Sequence, residues 1–262
     1  MKLIICLLFI LPMLASGQQP KNQRDAQGRK QGYWEAVDRN GKLVYSGYFK
    51  EDKPIGEMKR YHPAGGVRVI MIYDDKSEKA RARFFWQSGE LAAEGNYVNT
   101  KRDSVWTYYS YYTKAVSYKA TYKMGMRDGK SQSFYPNGEI TEEIVWRNDQ
   151  KEGPWRQYFE DKRLKLSATY VNGKLEGAFL IYSPDGKKET EGKYRNNFPD
   201  GKWMRYKDDG TVASVVEYVN GQIANLEELE ASEREFFKMV EEQAGKIKEP
   251  TIEDLLREAN TP

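Results

Sequence analysis

Glycine and large aromatic side chains return along this chain at a period of about 24 residues. Counted from Gly177, glycines recur in steps of 24 at Gly201, Gly153 and Gly129. A fixed period of this length indicates stacked supersecondary units, none of which can bury its apolar side chains alone. With one extra residue before the fifth unit, the period defines eight units, which start at Gly32, Gly56, Ala80, Ser104, Gly129, Gly153, Gly177 and Gly201.

The units share residue types at fixed positions, counted from the unit start as position 0. Position 2 is often a bulky apolar residue: Trp34, Met58, Trp106, Trp155, Phe179 and Trp203. Position 5 is aromatic in seven units: Tyr61, Phe85, Tyr109, Phe134, Tyr158, Tyr182 and Tyr206. Allowing for the extra residue, position 17 is aromatic throughout: Phe49, Tyr73, Tyr97, Tyr122, Trp146, Tyr170, Tyr194 and Tyr218.

Each unit reads as one β-hairpin. In the sixth unit, Leu164, Leu166, Ala168 and Tyr170 alternate with polar residues, which is typical of a strand with one packed face. Segments such as Ser183–Lys187, "SPDGK", predict a three-residue hairpin loop with a glycine bulge. In this register, position 5 lies opposite an aliphatic residue at position 11: Leu43, Val67, Leu91, Ile140, Leu164 or Val212. The prediction is a mainly β chain, an elongated antiparallel meander of about sixteen strands.

Two stretches, "GPWRQYFEDKRLKLSATYVNGKLEG" and "GKWMRYKDDGTVASVVEYVNG", resemble the variant form of the MORN (membrane occupation and recognition nexus) repeat. The resemblance covers about three quarters of the chain and implies hairpins laid side by side in an elongated sheet. Because the third and fourth units lack the initial glycine, the middle of the array is expected to be irregular. The family also implies a tie to membranes or, in bacterial variants, an antitoxin-like role, both usually cytosolic.

The N-terminus predicts a secretory signal peptide over residues 1–17. Lys2 supplies the positive charge, an apolar run follows, and Ala15-Ser16-Gly17 supplies the small exit residues. The alternative is a short anchor that is never cut. Cys6 is the only cysteine, so the mature chain has none, which excludes disulfides and thiol chemistry. No later segment is apolar enough to cross a membrane, and we expect a periplasmic or secreted protein.

The segments on either side of the repeat array, which covers residues 31–222, lack its pattern of glycines and rings. Residues 18–30 are polar without periodicity and predict a flexible leader. Residues 223–262 predict helices: Asn225 and Glu228 form a capping box before an apolar stripe, and Thr251 caps a second short helix. These helices either cover the last sheet edge or present a binding surface to another protein.

The position-2 and position-5 rings are three residues apart, so a regular strand points them to opposite faces. In one interpretation, the position-2 rings are structural, turned inward by a bulge or stacked along the sheet. In the other, they form an exposed ligand-binding row of Trp34, Trp106, Trp155, Phe179 and Trp203. An exposed row would favour a ligand surface, whereas buried tryptophans would favour a spacer.

The sequence contains few side chains of the types that catalysis requires. The lone histidine, His62, occupies a turn position, which excludes a histidine-dependent triad or a multi-imidazole zinc site by count. A net charge of +3 gives no reason to expect nucleic acid as a partner. We therefore predict no catalytic residues, metal or cofactor, and a non-catalytic extracytoplasmic scaffold that binds a protein or a glycan. The alternatives are a membrane-associated or antitoxin-like cytosolic protein, and a glycan hydrolase that uses turn carboxylates.

Overall fold

A computed structural model of the chain describes residues 20–243 and shows two compact units, one ending at Gly138 and the other beginning at Glu139. The predicted signal peptide and the predicted helix after Thr251 lie outside the described residues. Within that range the chain forms 20 strands and a single helix, and it is mostly β, as predicted. Sixteen strands span six to nine residues, and the other four are two-residue strands at the ends or between hairpins.

In the compact unit that ends at Gly138, strands that are adjacent in sequence pair in antiparallel fashion. They are β1 (Gln23–Arg24), β2 (Lys30–Val37), β3 (Leu43–Lys50), β4 (Lys53–Tyr61), β5 (Val67–Tyr73), β6 (Lys79–Phe85), β7 (Leu91–Val98), β8 (Lys101–Tyr109), β9 (Val116–Lys123) and β10 (Met126–Phe134).

The compact unit that begins at Glu139 is also an antiparallel meander and ends in the helix. Its elements are β11 (Ile140–Arg147), β12 (Gln150–Tyr158), β13 (Leu164–Val171), β14 (Lys174–Leu175), β15 (Gly177–Tyr182), β16 (Lys188–Arg195), β17 (Phe198–Pro199), β18 (Gly201–Tyr206), β19 (Val212–Val219), β20 (Gln222–Ile223) and α1 (Leu226–Gln243).

The hairpin turns have the predicted form. In Ser183–Lys187, the N–H of Gly186 donates to the Ser183 carbonyl at 2.9 Å, and the N–H of Ser183 donates to the Lys187 carbonyl at 2.8 Å. Gly186 has φ +84°, which a residue with a side chain adopts at a cost. The predicted pairing of position 5 with position 11 is confirmed at Tyr61–Val67, Phe85–Leu91, Tyr158–Leu164 and Tyr206–Val212.

The position-2 and position-17 side chains share one face of the strands, which we call the ring face. Ring centroids lie 5.0 Å apart for Trp106–Tyr97 and 5.0 Å apart for Trp203–Tyr194, both close to perpendicular. The core of the chain is on this face, because its buried side chains include Trp34, Phe49, Met58, Ala82 and Trp106. Rings packed over neighbouring strands thus exclude water from one side of a single-layer sheet.

The position-5 tyrosines lie on the opposite face, as strand parity predicts. Their hydroxyls donate to carboxylates fifteen residues earlier in the chain, at 2.9 Å for Tyr109–Glu94, 3.2 Å for Tyr158–Glu143 and 3.1 Å for Tyr206–Glu191. In the second hairpin the same partner position is a buried serine, Ser46, 3.0 Å from the Tyr61 hydroxyl. These bonds tie each hairpin to the one before it.

The prediction of a flexible leader is wrong over residues 20–30. Strand β1 pairs with the start of β2, and the indole N–H of Trp34 donates to the Gln23 carbonyl at 3.1 Å. The Asp25 carboxylate closes the turn by accepting from the N–H groups of Gln27 and Arg29 at 3.0 and 2.9 Å. Polar composition does not reveal this hairpin, because an aspartate turn can order a short polar segment against a neighbouring strand.

Helix α1 begins after Asn225, as predicted, but the side chain of Asn225 faces the sheet. Its Oδ1 accepts from the Glu217 N–H at 2.9 Å, and its Nδ2 donates to the Val215 carbonyl at 3.2 Å. The helix has no extensive contact with any described strand, and most of its apolar residues, Phe237 at 62% exposure among them, face solvent. Strand β20 and Asn225, rather than the body of the helix, therefore occupy the end of the last strand.

Candidate functional site

The predicted aromatic row is not exposed. Trp34 is 9% and Trp106 1% exposed, while Trp155, Phe179 and Trp203 are half-buried. The exposed-row interpretation is wrong in this respect because each ring lies over the neighbouring strand on the packed face. No bulge is needed to turn these rings inward, since the packed face is their own side of the sheet. That the row binds a ligand stays a prediction, and the burial of Trp34 and Trp106 weighs against it.

The link between consecutive hairpins carries a bulge at position 0. In the β7–β8 link, Glu94 pairs with Thr107 and Asn96 with Asp103, so Ser104 and its neighbours form the bulge. This bulge needs a positive φ, which position 0 has in seven of the eight units: Gly32, Gly56, Ser104, Gly129, Gly153, Gly177 and Gly201. Ala80 is the exception, because a residue with a side chain avoids this region unless its surroundings force it.

The missing bulge changes what faces the ring at position 17. With the bulge, the residue opposite the ring is larger than alanine, as in the pairs Tyr97–Arg102, Trp146–Lys151 and Tyr170–Leu175. Without it, β5 and β6 pair in unbroken register, and Tyr73 faces Ala80. Ala80 also pairs with Tyr97 on its other side. A single methyl group therefore lies between two tyrosines.

An open cleft of about 710 Å³ forms at this place, within the first unit. We call it the Tyr73–Tyr97 cleft. Its floor is apolar, from Ala80, Met71 and Pro54, and its walls are the two tyrosines. The five-residue loop 74–78 borders it, since the unbroken register starts β6 only at Lys79. A concave apolar surface with a polar border is the usual form of a binding site.

The border of the cleft is charged. The loop contributes Asp74, Asp75, Lys76 and Glu78, all exposed, and Lys53 and Lys79 complete the rim. The N–H of Lys76 donates to the Asp74 carboxylate at 2.8 Å, and this bond lowers the pKa of Asp74. Burial raises the pKa of Tyr73, so its hydroxyl stays protonated at neutral pH. That hydroxyl donates to Met71 Sδ at 3.4 Å, and the rings of both tyrosines line the cleft.

Within residues 20–243, no group of three His, Cys, Asp or Glu side chains is placed to hold a metal ion. His62 lies outside the cleft, with Nε2 3.1 Å from the Phe85 carbonyl oxygen. No helix of the described chain is long and apolar enough to cross a bilayer. Tyr73, Ala80 and Tyr97 were not singled out as site residues from the sequence, although the absence of glycine at Ala80 was the available signal.

Three segments of the chain, residues 80–99, 127–148 and 175–196, match a family model described as MORN repeat variant. They begin near the starts of the third, fifth and seventh units and are thus spaced by two periods. No curated protein matches the chain.

Among solved structures, the crystal structure of a GtfA/B complex aligns with 34% of this chain and 18% of its own, at 7% identity and a TM-score of 0.26. A Bacteroides fragilis NCTC 9343 protein of unknown function aligns with 56% of this chain and 96% of its own, at 10% identity and a TM-score of 0.15. The chain thus spans less than a fifth of the first structure, and scores this low establish no shared fold. The three matched segments are thus similar to MORN repeat variants, and they share the period and the strand pairing of the rest of the array.

Proposed function

We propose that the chain is a non-catalytic, extracytoplasmic repeat scaffold that binds a segment of a partner protein in the Tyr73–Tyr97 cleft. The observation that carries the proposal is the unbroken β5–β6 register, which leaves Ala80 between two tyrosines where the bulged links place a larger residue. The hairpins before and after the cleft hold its walls in place. A rigid apolar recess of this kind favours binding because little conformational entropy is lost when it is filled.

The protein-binding role is favoured over a glycan-binding or hydrolytic role by the shape and charge of the site. A hydrolase needs two carboxylates that face each other across the substrate. Here the acidic residues of loop 74–78 lie together on one border, and one of them, Asp74, closes its own turn. The cleft is also short, with walls from only two tyrosines, which suits a single side chain better than a sugar polymer.

The extracytoplasmic location is part of the proposal and rests on residues 1–17. Intact mass and N-terminal sequencing of protein purified from producing cells test it. We expect a mature chain that begins near Gln18 and fractionates outside the cytosol. A full-length precursor in the cytosol would instead support the antitoxin-like alternative, and a full-length precursor in the membrane fraction the anchored one.

Site-specific photocrosslinking tests the binding role. A benzophenone side chain replaces Lys76, on the cleft border, and in a matched protein it replaces Tyr112, which is 89% exposed elsewhere in the same unit. In producing cells we expect one protein adduct from position 76 and none from position 112.

The variant Ala80→Leu, which fills the cleft floor, should abolish the adduct while the urea unfolding midpoint shows a folded chain. Equal adducts from both positions, or an adduct that persists in folded Ala80→Leu, would refute the assignment of the cleft.

A further inference from the structure

Resting on the proposed function, we propose that the cleft takes an arginine or lysine side chain of the partner protein. The charged group would lie over the rings of Tyr73 and Tyr97, and the aliphatic stem would lie on Ala80, Met71 and Pro54. Arginine and lysine suit such a site because their stems are apolar and their ends are cationic.

The chain itself repeats this contact at three places. Two residues before the unit start, Lys30 Nζ lies 5.0 Å from the Trp34 ring centroid and 4.8 Å from that of Phe49. Two residues before the start of the fourth unit, Arg102 Cζ lies 4.9 Å from the centroid of Trp106 and 5.5 Å from that of Tyr122. Each cation is half-buried among the rings at the same repeat position. Cations within about 6 Å of a ring centroid are attracted by its π-electrons.

The third of these cations is Lys151, two residues before the start of the sixth unit. Its Nζ lies 4.7 Å from the Tyr170 centroid, 5.8 Å from that of Trp155 and 3.3 Å from the Tyr170 hydroxyl oxygen. A tyrosine at position 17 can therefore bind a cation through both its ring and its hydroxyl. Tyr73 and Tyr97 occupy the same repeat position, so a cation from outside would find two tyrosine rings there. The third unit has Ala82 in place of the position-2 tryptophan, so Tyr73 would serve as the second ring, and the Tyr97 hydroxyl is already shared with Arg102.

No cation precedes the third unit at this repeat position, two residues before the unit start. The equivalent residue is Glu78, and the unbroken register moves it into the loop, away from the position opposite Tyr73. Within loop 74–78, three carboxylates outnumber the single Lys76. A purely apolar occupant would leave these carboxylates partly desolvated without compensation, which costs free energy. Lys53 and Lys79 on the outer rim oppose a cation, but their long stems allow them to turn toward water.

Two small probes separate charge from shape. N-acetylarginine methylamide carries the guanidinium, and N-acetylcitrulline methylamide has nearly the same shape without the charge. Both are titrated into the mature chain, and the ring signals of Tyr73 and Tyr97 are followed by NMR, with Tyr112 as the internal reference. We expect the arginine probe to shift both cleft tyrosines with at least threefold tighter binding than the citrulline probe, which corresponds to about 0.6 kcal/mol.

Two variants locate the effect. Tyr97→Leu should weaken binding of the arginine probe to the level of the citrulline probe. Asp208→Ala, in a hairpin turn of the compact unit that begins at Glu139, should leave this binding unchanged. Equal binding of the two probes would overturn the preference for a cation while leaving the cleft as a binding site. Larger shifts of the same rings with a neutral disaccharide such as chitobiose would overturn it in favour of a glycan. The Lys76 crosslink, which uses no probe, tests the proposed function separately.

Discussion

The indole of Trp106 lies directly against the backbone of Gly95 on the neighbouring strand. A Cβ atom built on Gly95 would be 2.3 Å from Cδ2 of the indole, closer than any real contact allows. Trp203 and Gly192 repeat the relationship in the compact unit that begins at Glu139. There, a Cβ atom built on Gly192 would be 2.2 Å from Cδ2 of the indole. Large rings thus pack onto glycine of the adjacent strand, which is how one sheet layer excludes water on its ring face without a second layer.

We therefore expect Gly95→Ala to destabilise the chain by about 1–3 kcal/mol, because the new methyl group must displace a fully packed indole. Urea unfolding, followed by fluorescence and circular dichroism, measures the change. The matched background is Trp106→Leu, which removes the ring. There the same glycine substitution should cost much less, and an equal cost in both backgrounds would contradict this packing.

The hydrogen bond between Tyr109 and Glu94 makes a pH-dependent contribution. The tyrosine hydroxyl, and to a smaller degree Arg81, holds the pKa of Glu94 below its ordinary value of 4.5. Because the folded pKa is the lower one, the stabilisation is complete above the unfolded pKa and is lost as pH falls through the folded pKa. Tyr109→Phe should raise the pKa of Glu94 in NMR titrations and reduce the loss of stability in acid. Phe85 lacks a hydroxyl, so Phe85→Leu serves as a control that should leave the Glu94 pKa unchanged.

Ser104 adopts φ +60°, a conformation that costs a residue with a side chain about 1 kcal/mol. Glycine occupies this bulge position in six other units. Ser104→Gly should therefore stabilise the chain by about 0.5–1 kcal/mol, measured by the urea midpoint.

Ala80→Gly is the matched control for Ser104→Gly, and its effect should have the opposite sign. Ala80 lies in regular strand geometry, where glycine only adds freedom to the unfolded chain and loses a buried methyl group. If both substitutions stabilised the chain, the different backbone of the third link would be refuted.

Asn225 closes the end of the last strand through its side chain. Asn225→Ala removes the bonds to the Glu217 N–H and the Val215 carbonyl, and should cost about 1 kcal/mol. Asn225→Asp keeps only the hydrogen-bond acceptor, so its free energy of unfolding should lie between those of the unchanged chain and Asn225→Ala. Replacing Glu228, an exposed helix residue, by alanine should change the urea midpoint little, whereas an equal loss would indicate that helix capping, not the strand contact, matters.

Much of the local structure followed from residue patterns. The alternation in Leu164–Tyr170 and the turn Ser183–Lys187 predicted hairpins and their register because both are determined by residues close in sequence. The same local logic failed at residues 20–30, where Asp25 closes a turn that composition alone does not reveal.

The candidate site depended on a difference that the sequence does not show. Ser104 and Ala80 both replace glycine at position 0, yet Ser104 keeps the positive φ and Ala80 does not. Whether position 0 adopts a positive φ depends on the sum of cross-strand contacts along β5–β8, not on the residue at that position alone.

By itself, the sequence determined the period, the strand–turn pattern and the opposite orientation of position-2 and position-5 rings, because chain stereochemistry sets all three locally. Only the tertiary structure decided which of the two faces is packed, and where a link loses its bulge and opens a cleft. Those outcomes depend on what lies across the neighbouring strand, as Gly95 does for Trp106 and Ala80 does for Tyr73, and such pairings join residues distant in the chain.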